Sequence, residues 1–86
     1  MTTDAYLYVG ALVFAAGAVG TLARTSAIGR LSGVELMFAS AMLTFAASAV
    51  GLRELDGQVA ALLVGIVAVA HGAVGFALAA GARRPT

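Results

Sequence analysis

Two ionisable side chains lie inside long apolar stretches of this sequence. Glu35 stands in SGVELMFAS, and His71, the single histidine of the chain, stands in VAVAHGAVG. An ionisable group within lipid is costly unless it is paired or protonated, and such groups therefore mark proton or ion paths. A carboxyl group cycles between neutral and negative, and an imidazole between positive and neutral, so each can carry a proton. The residue types predict proton transfer through Glu35 and His71.

A structural role is open for each of these residues. Residues 32–35, SGVE, fit a capping box, in which the glutamate bonds the backbone at the start of a helix that would begin at Gly33. A helix that begins near Ser26 would instead place Glu35 about two turns inside it. His71 could be a neutral imidazole hydrogen-bonded to a hydroxyl or carbonyl group of a neighbouring helix.

The composition excludes most of the chemistry of soluble enzymes. Of the 86 residues, 62% are hydrophobic and 10% are charged, whereas soluble domains are about a quarter charged. With no cysteine and one histidine, we expect no metal site, and no residue pattern predicts a catalytic residue. The net charge of +1, without any lysine, predicts no nucleic-acid partner. The expected class is an integral membrane protein in contact with the lipid bilayer.

Three apolar runs are long enough to cross a bilayer, which takes about 20 residues in a helix. They predict helices over about residues 5–23, 27–52 and 58–82, within one membrane domain of residues 1–86. The short polar segment RELDG separates the last two runs and carries the Asp-Gly signal of a turn. The sequence therefore predicts an all-α membrane protein with three transmembrane helices in an up-down-up arrangement.

The arginines predict how the helices are oriented. Arg24 and Arg30 are the basic residues of the first connection, Arg83 and Arg84 follow the third helix, and Arg53 lies at the opposite end. Positively charged residues accumulate on the cytoplasmic side of membrane proteins. We therefore expect the first connection and the C-terminus in the cytoplasm and the N-terminus outside.

Small residues recur at spacings of three and four along the third run. They are Gly65, Ala68, Gly72, Gly75 and Ala79. Such a stripe lets two helix backbones approach closely, either within the chain or between subunits. His71 neighbours this stripe, so we expect it to face protein rather than lipid. Because the runs are rich in alanine, glycine and valine, we expect the chain to be a subunit of a larger assembly.

Several motifs resemble one known family in a single register. They are GVELM on the second run, LDGQV at the turn, AVGFAL on the third run, and YLYVGALVFAAGAVGTLAR as the first helix. Together they resemble the K subunit of respiratory NADH:quinone oxidoreductase, or complex I, whose mitochondrial counterpart is the 4L subunit. The resemblance implies three transmembrane helices in the membrane arm, between quinone-proximal and antiporter-like subunits. It also implies a multi-pass location in the cell inner (plasma) membrane.

The family places a buried glutamate on each of the last two helices, in a proton-translocation path. The first glutamate falls on Glu35, and the position of the second is His71 here; Arg24 matches a basic residue of the family's loop. The resemblance therefore implies a non-catalytic subunit that contributes a proton path through Glu35, with His71 as an altered partner. The resemblance also implies that this chain binds no cofactor, because NADH and quinone react on other subunits of the parent complex.

Two other functions are carried as alternatives. One is a divergent structural membrane subunit that takes the same place in the complex and transfers no proton. The other is a self-assembling ion carrier, such as a rotor-ring subunit of an ATP synthase, which is also glycine-rich and has one buried carboxylate. Three predicted helices argue against the rotor ring, which is built from two-helix hairpins.

Overall fold

Each apolar run forms one helix. A computed structural model describes residues 2–82, in which α1 spans Thr3–Ala23, α2 spans Ala27–Leu52 and α3 spans Asp56–Ala82. All three helices are long and apolar enough to cross a membrane. At 1.5 Å per residue they measure about 30–40 Å, which matches a hydrocarbon core of about 30 Å. The predicted all-α class with three transmembrane helices is confirmed.

Local signals set the helix ends. The hydroxyl of Thr2 caps α1 by accepting from the amide of Ala5 at 3.2 Å, and Ser26 caps α2 by accepting from the amide of Gly29 at 3.0 Å. α1 and α3 each begin two residues before the predicted starts. For α1 the reason is the Thr2 cap, and for α3 the acidic Asp56 suits the positive end of the helix dipole.

The C-terminus of α2 is closed by a residue in the left-handed region. Arg53 has φ 56° and ψ 40°, and its amide donates to the carbonyl of Val50 at 3.3 Å. The amide of Glu54 donates to the carbonyl of Ala49 at 3.0 Å. These two bonds form a Schellman motif, which satisfies carbonyls that the end of a helix leaves unpaired. The motif turns the chain back into α3 within residues 53–55.

The capping-box interpretation of residues 32–35 is wrong, because α2 begins at Ala27 and is capped by Ser26. The hydroxyl of Ser32 donates to the carbonyl of Ile28 at 2.8 Å, as a residue inside a helix does. Glu35 lies eight residues after Ala27, about 12 Å along the helix axis. The carboxylate is therefore about two turns inside α2.

The helices form one layer with α2 in the centre. α2 packs against α1 on one side and α3 on the other, and α1 and α3 do not pack together within residues 2–82. The layer measures 54 × 24 × 15 Å. Along α2, the contacts run in opposite order to those along each neighbour, so consecutive helices are antiparallel. The connections, residues 24–26 and 53–55, have three residues each. They are too short to separate consecutive helices, so α2 packs against both of its neighbours in the chain.

Close backbone contacts hold this layer together. A Cβ at Gly17 of α1 would lie 2.7 Å from the carbonyl oxygen of Gly33 on α2. The predicted small-residue stripe of α3 packs within the chain, against α2, and Ala68, Gly72 and Ala79 are buried there. Larger apolar side chains point outward instead; they include Leu12, Leu22, Val69 and Leu78. The chain therefore offers an apolar surface around a core of small residues.

The predicted orientation of the termini stays a prediction. Arg24 and Arg30 lie together at the connection between α1 and α2, and Arg53 lies at the opposite end of the layer. Arg83 and Arg84 lie outside the described residues.

Candidate functional site

Glu35 and His71 meet across the contact between α2 and α3. The Nδ1 atom of His71 lies 2.9 Å from Oε1 of Glu35. The Glu35 side chain is 27% exposed and that of His71 43%, so the pair is open on its surroundings rather than enclosed. The partner of the imidazole is thus a carboxylate, not the hydroxyl or carbonyl group of the structural interpretation. The structure brings together the two residues that the sequence selected.

Gly72 makes room for this hydrogen bond. A Cβ at Gly72 would lie 3.3 Å from both Cδ and Oε1 of Glu35. The Glu35 carboxylate therefore rests against the bare backbone of α3, next in sequence to His71. Gly72 belongs to the predicted packing stripe, and its place beside the ionisable pair gives it a second role. The signal in the sequence was its position directly after His71.

Phe38 contacts the imidazole of His71. The two rings meet edge to face, with centroids 5.4 Å apart and planes inclined by 64°. Phe38 lies three residues after Glu35, so both side chains are on the α3-facing side of α2. Edge-to-face contacts orient aromatic rings. Phe38 thus fixes the imidazole from α2, a role that sequence reasoning missed. Its spacing of three residues from Glu35 indicates a shared face of α2 but not the contact with His71.

The pair lies between two grooves on opposite sides of the α2–α3 contact. The Glu35 groove, of about 590 Å³, is lined by Glu35, Ala39 and Met42 of α2 and by Leu62, Gly65, Ile66, Ala68 and Val69 of α3. The His71 groove, of about 450 Å³, is lined by Ala27, Arg30, Leu31 and Val34 of α2 and by His71, Gly75, Leu78 and Ala79 of α3. At 100° per residue, the two sets of α2 residues point to different sides of the helix.

Of the two predicted loop arginines, Arg24 lies in the first connection, whereas Arg30 lies in the first turn of α2, and neither contacts the pair. The Nε atom of Arg30 donates to the carbonyl of Arg24 at 2.8 Å, which ties the start of α2 to the end of α1. Within residues 2–82, the one contact between oppositely charged side chains joins Glu35 to His71. Arg30 lines the His71 groove but forms no ion pair with Glu35.

Ser40 and Thr44, further along α2, bond only to carbonyl groups of their own helix. The hydroxyl of Ser40, 2% exposed, donates to the carbonyl of Met37 at 2.8 Å, and Thr44 donates to the carbonyl of Ser40 at 2.9 Å. In the described part of the chain, no group of three or more His, Cys, Asp or Glu could hold a metal ion. Glu35 and His71 are therefore the ionisable groups available for chemistry at membrane depth.

Comparison with known proteins gives one consistent result. The model of the family described as NADH-ubiquinone/plastoquinone oxidoreductase chain 4L matches residues 5–86. The chain is 42% identical over 78 residues to NADH-quinone oxidoreductase subunit K 1 of Geobacter sulfurreducens, covering 91% of this chain and 78% of the relative.

Two further relatives agree with this match. Subunit K of Solidesulfovibrio magneticus is 42% identical over 78 residues, which is 91% of this chain and 76% of the relative. Subunit K of Bdellovibrio bacteriovorus is 43% identical over 74 residues, which is 86% of this chain and 69% of the relative. With three membrane-spanning helices in the order that the family resemblance implied, the chain belongs to the chain 4L family, that is, to the K subunits of NADH-quinone oxidoreductase.

Proposed function

We propose that this membrane-arm subunit contributes to proton translocation through Glu35, with His71 as the hydrogen-bonded partner that holds the proton. The observation that carries the proposal is the 2.9 Å separation between Oε1 of Glu35 and Nδ1 of His71 at membrane depth. Ionisable groups are costly within a membrane, and those found there mark proton or ion paths by default. Its partial exposure supports exchange with groups outside the chain.

One proton shared by the two groups has two positions. On Oε1 of Glu35 it leaves both groups neutral, and on Nδ1 of His71 it gives a carboxylate beside an imidazolium. Transfer between these positions breaks one O–H bond and forms one N–H bond, and the charge of the pair is unchanged. The attraction between carboxylate and imidazolium stabilises the second position in a medium of low dielectric constant. The pair can therefore store a proton without an uncompensated charge in the membrane.

The Glu35 groove is the route by which we expect protons to reach the pair. It extends from Glu35 past Met42 to Leu62, toward the connection between α2 and α3. Apart from Glu35 its lining residues are apolar. Polar groups that deliver and accept the proton must then come from neighbouring subunits. The larger apolar side chains of this chain point outward, as expected for a subunit that packs against such neighbours.

The arrangement in the cell is part of the proposal. The arginines of the first connection favour the cytoplasmic side for that end of the layer and the outside for the N-terminus, in a bacterial inner membrane. The partners are the quinone-proximal and antiporter-like subunits of the membrane arm. NADH and quinone react on other subunits of the parent complex, and this chain binds no cofactor. Tagging the chain, extracting the membranes in mild detergent and identifying the co-purifying proteins by mass spectrometry tests this. Recovery of the chain alone would contradict it.

The proton path is tested with Glu35→Gln, which keeps the size of the side chain and removes its titration. In inside-out vesicles we expect proton uptake per NADH oxidised to fall several-fold, while the complex still assembles. The matched control is Glu54→Gln, because Glu54 is exposed in the second connection. Normal proton uptake by a fully assembled Glu35→Gln complex would exclude Glu35 as a carrier.

A structural subunit is the second candidate, because Glu35 and His71 satisfy each other within the chain. A closed pair of this kind could join α2 to α3 and transfer nothing. The rotor-ring alternative is wrong, since the chain belongs to another family. The His71→Glu variant separates the structural subunit from the proton path, because a subunit that transfers no proton should not respond to it.

A further inference from the structure

The His71 groove continues along α3 as an apolar strip. A second shallow groove shares His71, Gly75 and Leu78 with it and reaches Ile66. From Leu78 to Ile66, α3 advances about 18 Å at the standard rise per residue. One leaflet is about half of a hydrocarbon core that is about 30 Å thick. The strip therefore has about the depth that one lipid acyl chain occupies.

Arg30 stands at the end of this strip that faces the first connection. Its Nε atom is held by the carbonyl of Arg24 at 2.8 Å, which fixes the guanidinium beside the groove. No carboxylate contacts Arg30 among the described side chains. The side chain is exposed, so its remaining N–H donors are open to a ligand at the level of the lipid headgroups. The strip is thus apolar apart from His71 and positively charged at one end.

We propose that an anionic phospholipid binds here, with its phosphate on Arg30 and one acyl chain in the strip over Leu78, Gly75 and His71. Basic residues that open onto clefts between transmembrane helices bind anionic headgroups in this way. The positive charge of Arg30 favours an anionic over a zwitterionic headgroup. The length of the strip matches the depth to which an acyl chain extends into one leaflet.

The lipid would cover the exposed side of His71. The imidazole side chain is 43% exposed and borders the strip, whereas Glu35 lines the other groove, which shares only Ile66 with the strip. An acyl chain over His71 keeps water away from that side of the pair. Protons then exchange with the pair through the Glu35 groove alone. Lipid binding itself does not depend on proton transfer at Glu35.

The test uses the intact complex reconstituted with phosphatidylglycerol that carries a diazirine in its acyl chain, and with the matched phosphatidylcholine probe. After irradiation, mass spectrometry locates the adducts on this chain. We expect phosphatidylglycerol adducts on the α3 peptide that contains Val74 and Leu78, with several-fold less labelling by phosphatidylcholine. Arg30→Gln should lower the phosphatidylglycerol adducts about five-fold, the effect of one basic residue at a membrane surface. Arg30→Lys, which keeps the charge, should retain them.

Arg53→Gln is the matched control, because Arg53 lies at the opposite end of the layer; it should leave labelling at Leu78 unchanged. Equal labelling by both probes would mean bulk lipid only and would overturn the proposal. Lipid adducts on neighbouring subunits, with none on the α3 peptide even with phosphatidylglycerol, would mean that protein covers the strip and would also overturn the proposal. The comparison of the two probes in the wild-type complex decides the matter even if Arg30→Gln fails to assemble.

Discussion

Gly72 on α3 lies against the carboxylate of Glu35 on α2, where a Cβ would stand 3.3 Å from the carboxylate carbon. This contact places the carboxylate at the level of the neighbouring His71, to which it is bonded at 2.9 Å. The packing of two helices and the position of an ionisable pair therefore depend on the same glycine. In a layer without a large hydrophobic core, small residues decide where the reactive groups lie.

The first prediction concerns His71→Glu, which replaces the imidazole by a second carboxylate. Two carboxylates in contact cannot both be ionised, so the variant still holds one proton. We expect it to pump protons with a changed pH dependence, whereas His71→Gln, which cannot titrate, should pump several-fold less. Proton uptake per NADH in vesicles measures both variants. If pumping is the same in the wild type and both variants, the chain is a structural subunit.

Gly72→Val should separate Glu35 from His71. A branched side chain at Gly72 would fill the space of the Glu35 carboxylate, and overpacking of this kind costs about 1–3 kcal/mol of stability. We expect loss of pumping and a lower melting temperature of the complex in detergent. Gly81→Val is the matched control on the same helix, since nothing lies within 4 Å of a Cβ there. Similar losses of pumping and of melting temperature in both variants would mean that valine disturbs α3 itself and not the contact with Glu35.

Phe38→Leu should disturb the orientation of the imidazole without breaking the layer. The edge-to-face contact is worth about 0.5–1.5 kcal/mol beyond burial, and leucine cannot replace it. We expect pumping to fall and its pH profile to shift, and Phe38→Tyr, which keeps the ring, should restore both. Phe45→Leu on the same helix serves as a control. An unchanged pH profile in Phe38→Leu would remove Phe38 from the site.

Gly17→Ala should destabilise the contact between α1 and α2. The new Cβ would lie 2.7 Å from the carbonyl oxygen of Gly33, and a backbone atom cannot rotate away. We expect a loss of about 1–3 kcal/mol and a lower steady-state amount of the chain in membranes. Gly20→Ala, whose nearest atom is the Cα of Gly33 at 4.0 Å, should instead gain up to about 1 kcal/mol from helix propensity. Thermal unfolding in detergent compares the melting temperatures of the two variants. Equal shifts in melting temperature would argue against the close approach of Gly17 to Gly33.

Arg53→Gly should stabilise the end of α2. Arg53 adopts the left-handed conformation at φ 56°, which costs a non-glycine residue about 1 kcal/mol. Glycine removes this cost and is the usual residue of the Schellman motif. We expect a higher melting temperature in detergent, while Glu54→Gly, one residue further on, should not raise it. A lower melting temperature for Arg53→Gly would mean that the arginine side chain contributes more than its backbone costs.

Part of the site could be read from residue types alone. Glu35 and His71 stand out because each interrupts an apolar run, and ionisable groups within lipid are costly and therefore rare outside functional sites. Phe38 and Gly72 could not be selected in the same way. An aromatic residue and a glycine are ordinary in a membrane helix, and only the position of a neighbouring helix gives them a role.

The sequence by itself determined that there are three helices, with the limits predicted to within two residues. Apolar runs of this length bury their backbone polar groups by forming helices in lipid, and Thr2 and Ser26 cap the first two locally. Only the tertiary structure decided that α2 is central and that Glu35 reaches a residue 36 positions away. The physical reason is that the alignment of α3 on α2 depends on backbone approach at small residues. That alignment is a sum of many weak contacts between helices, which no single stretch of sequence contains.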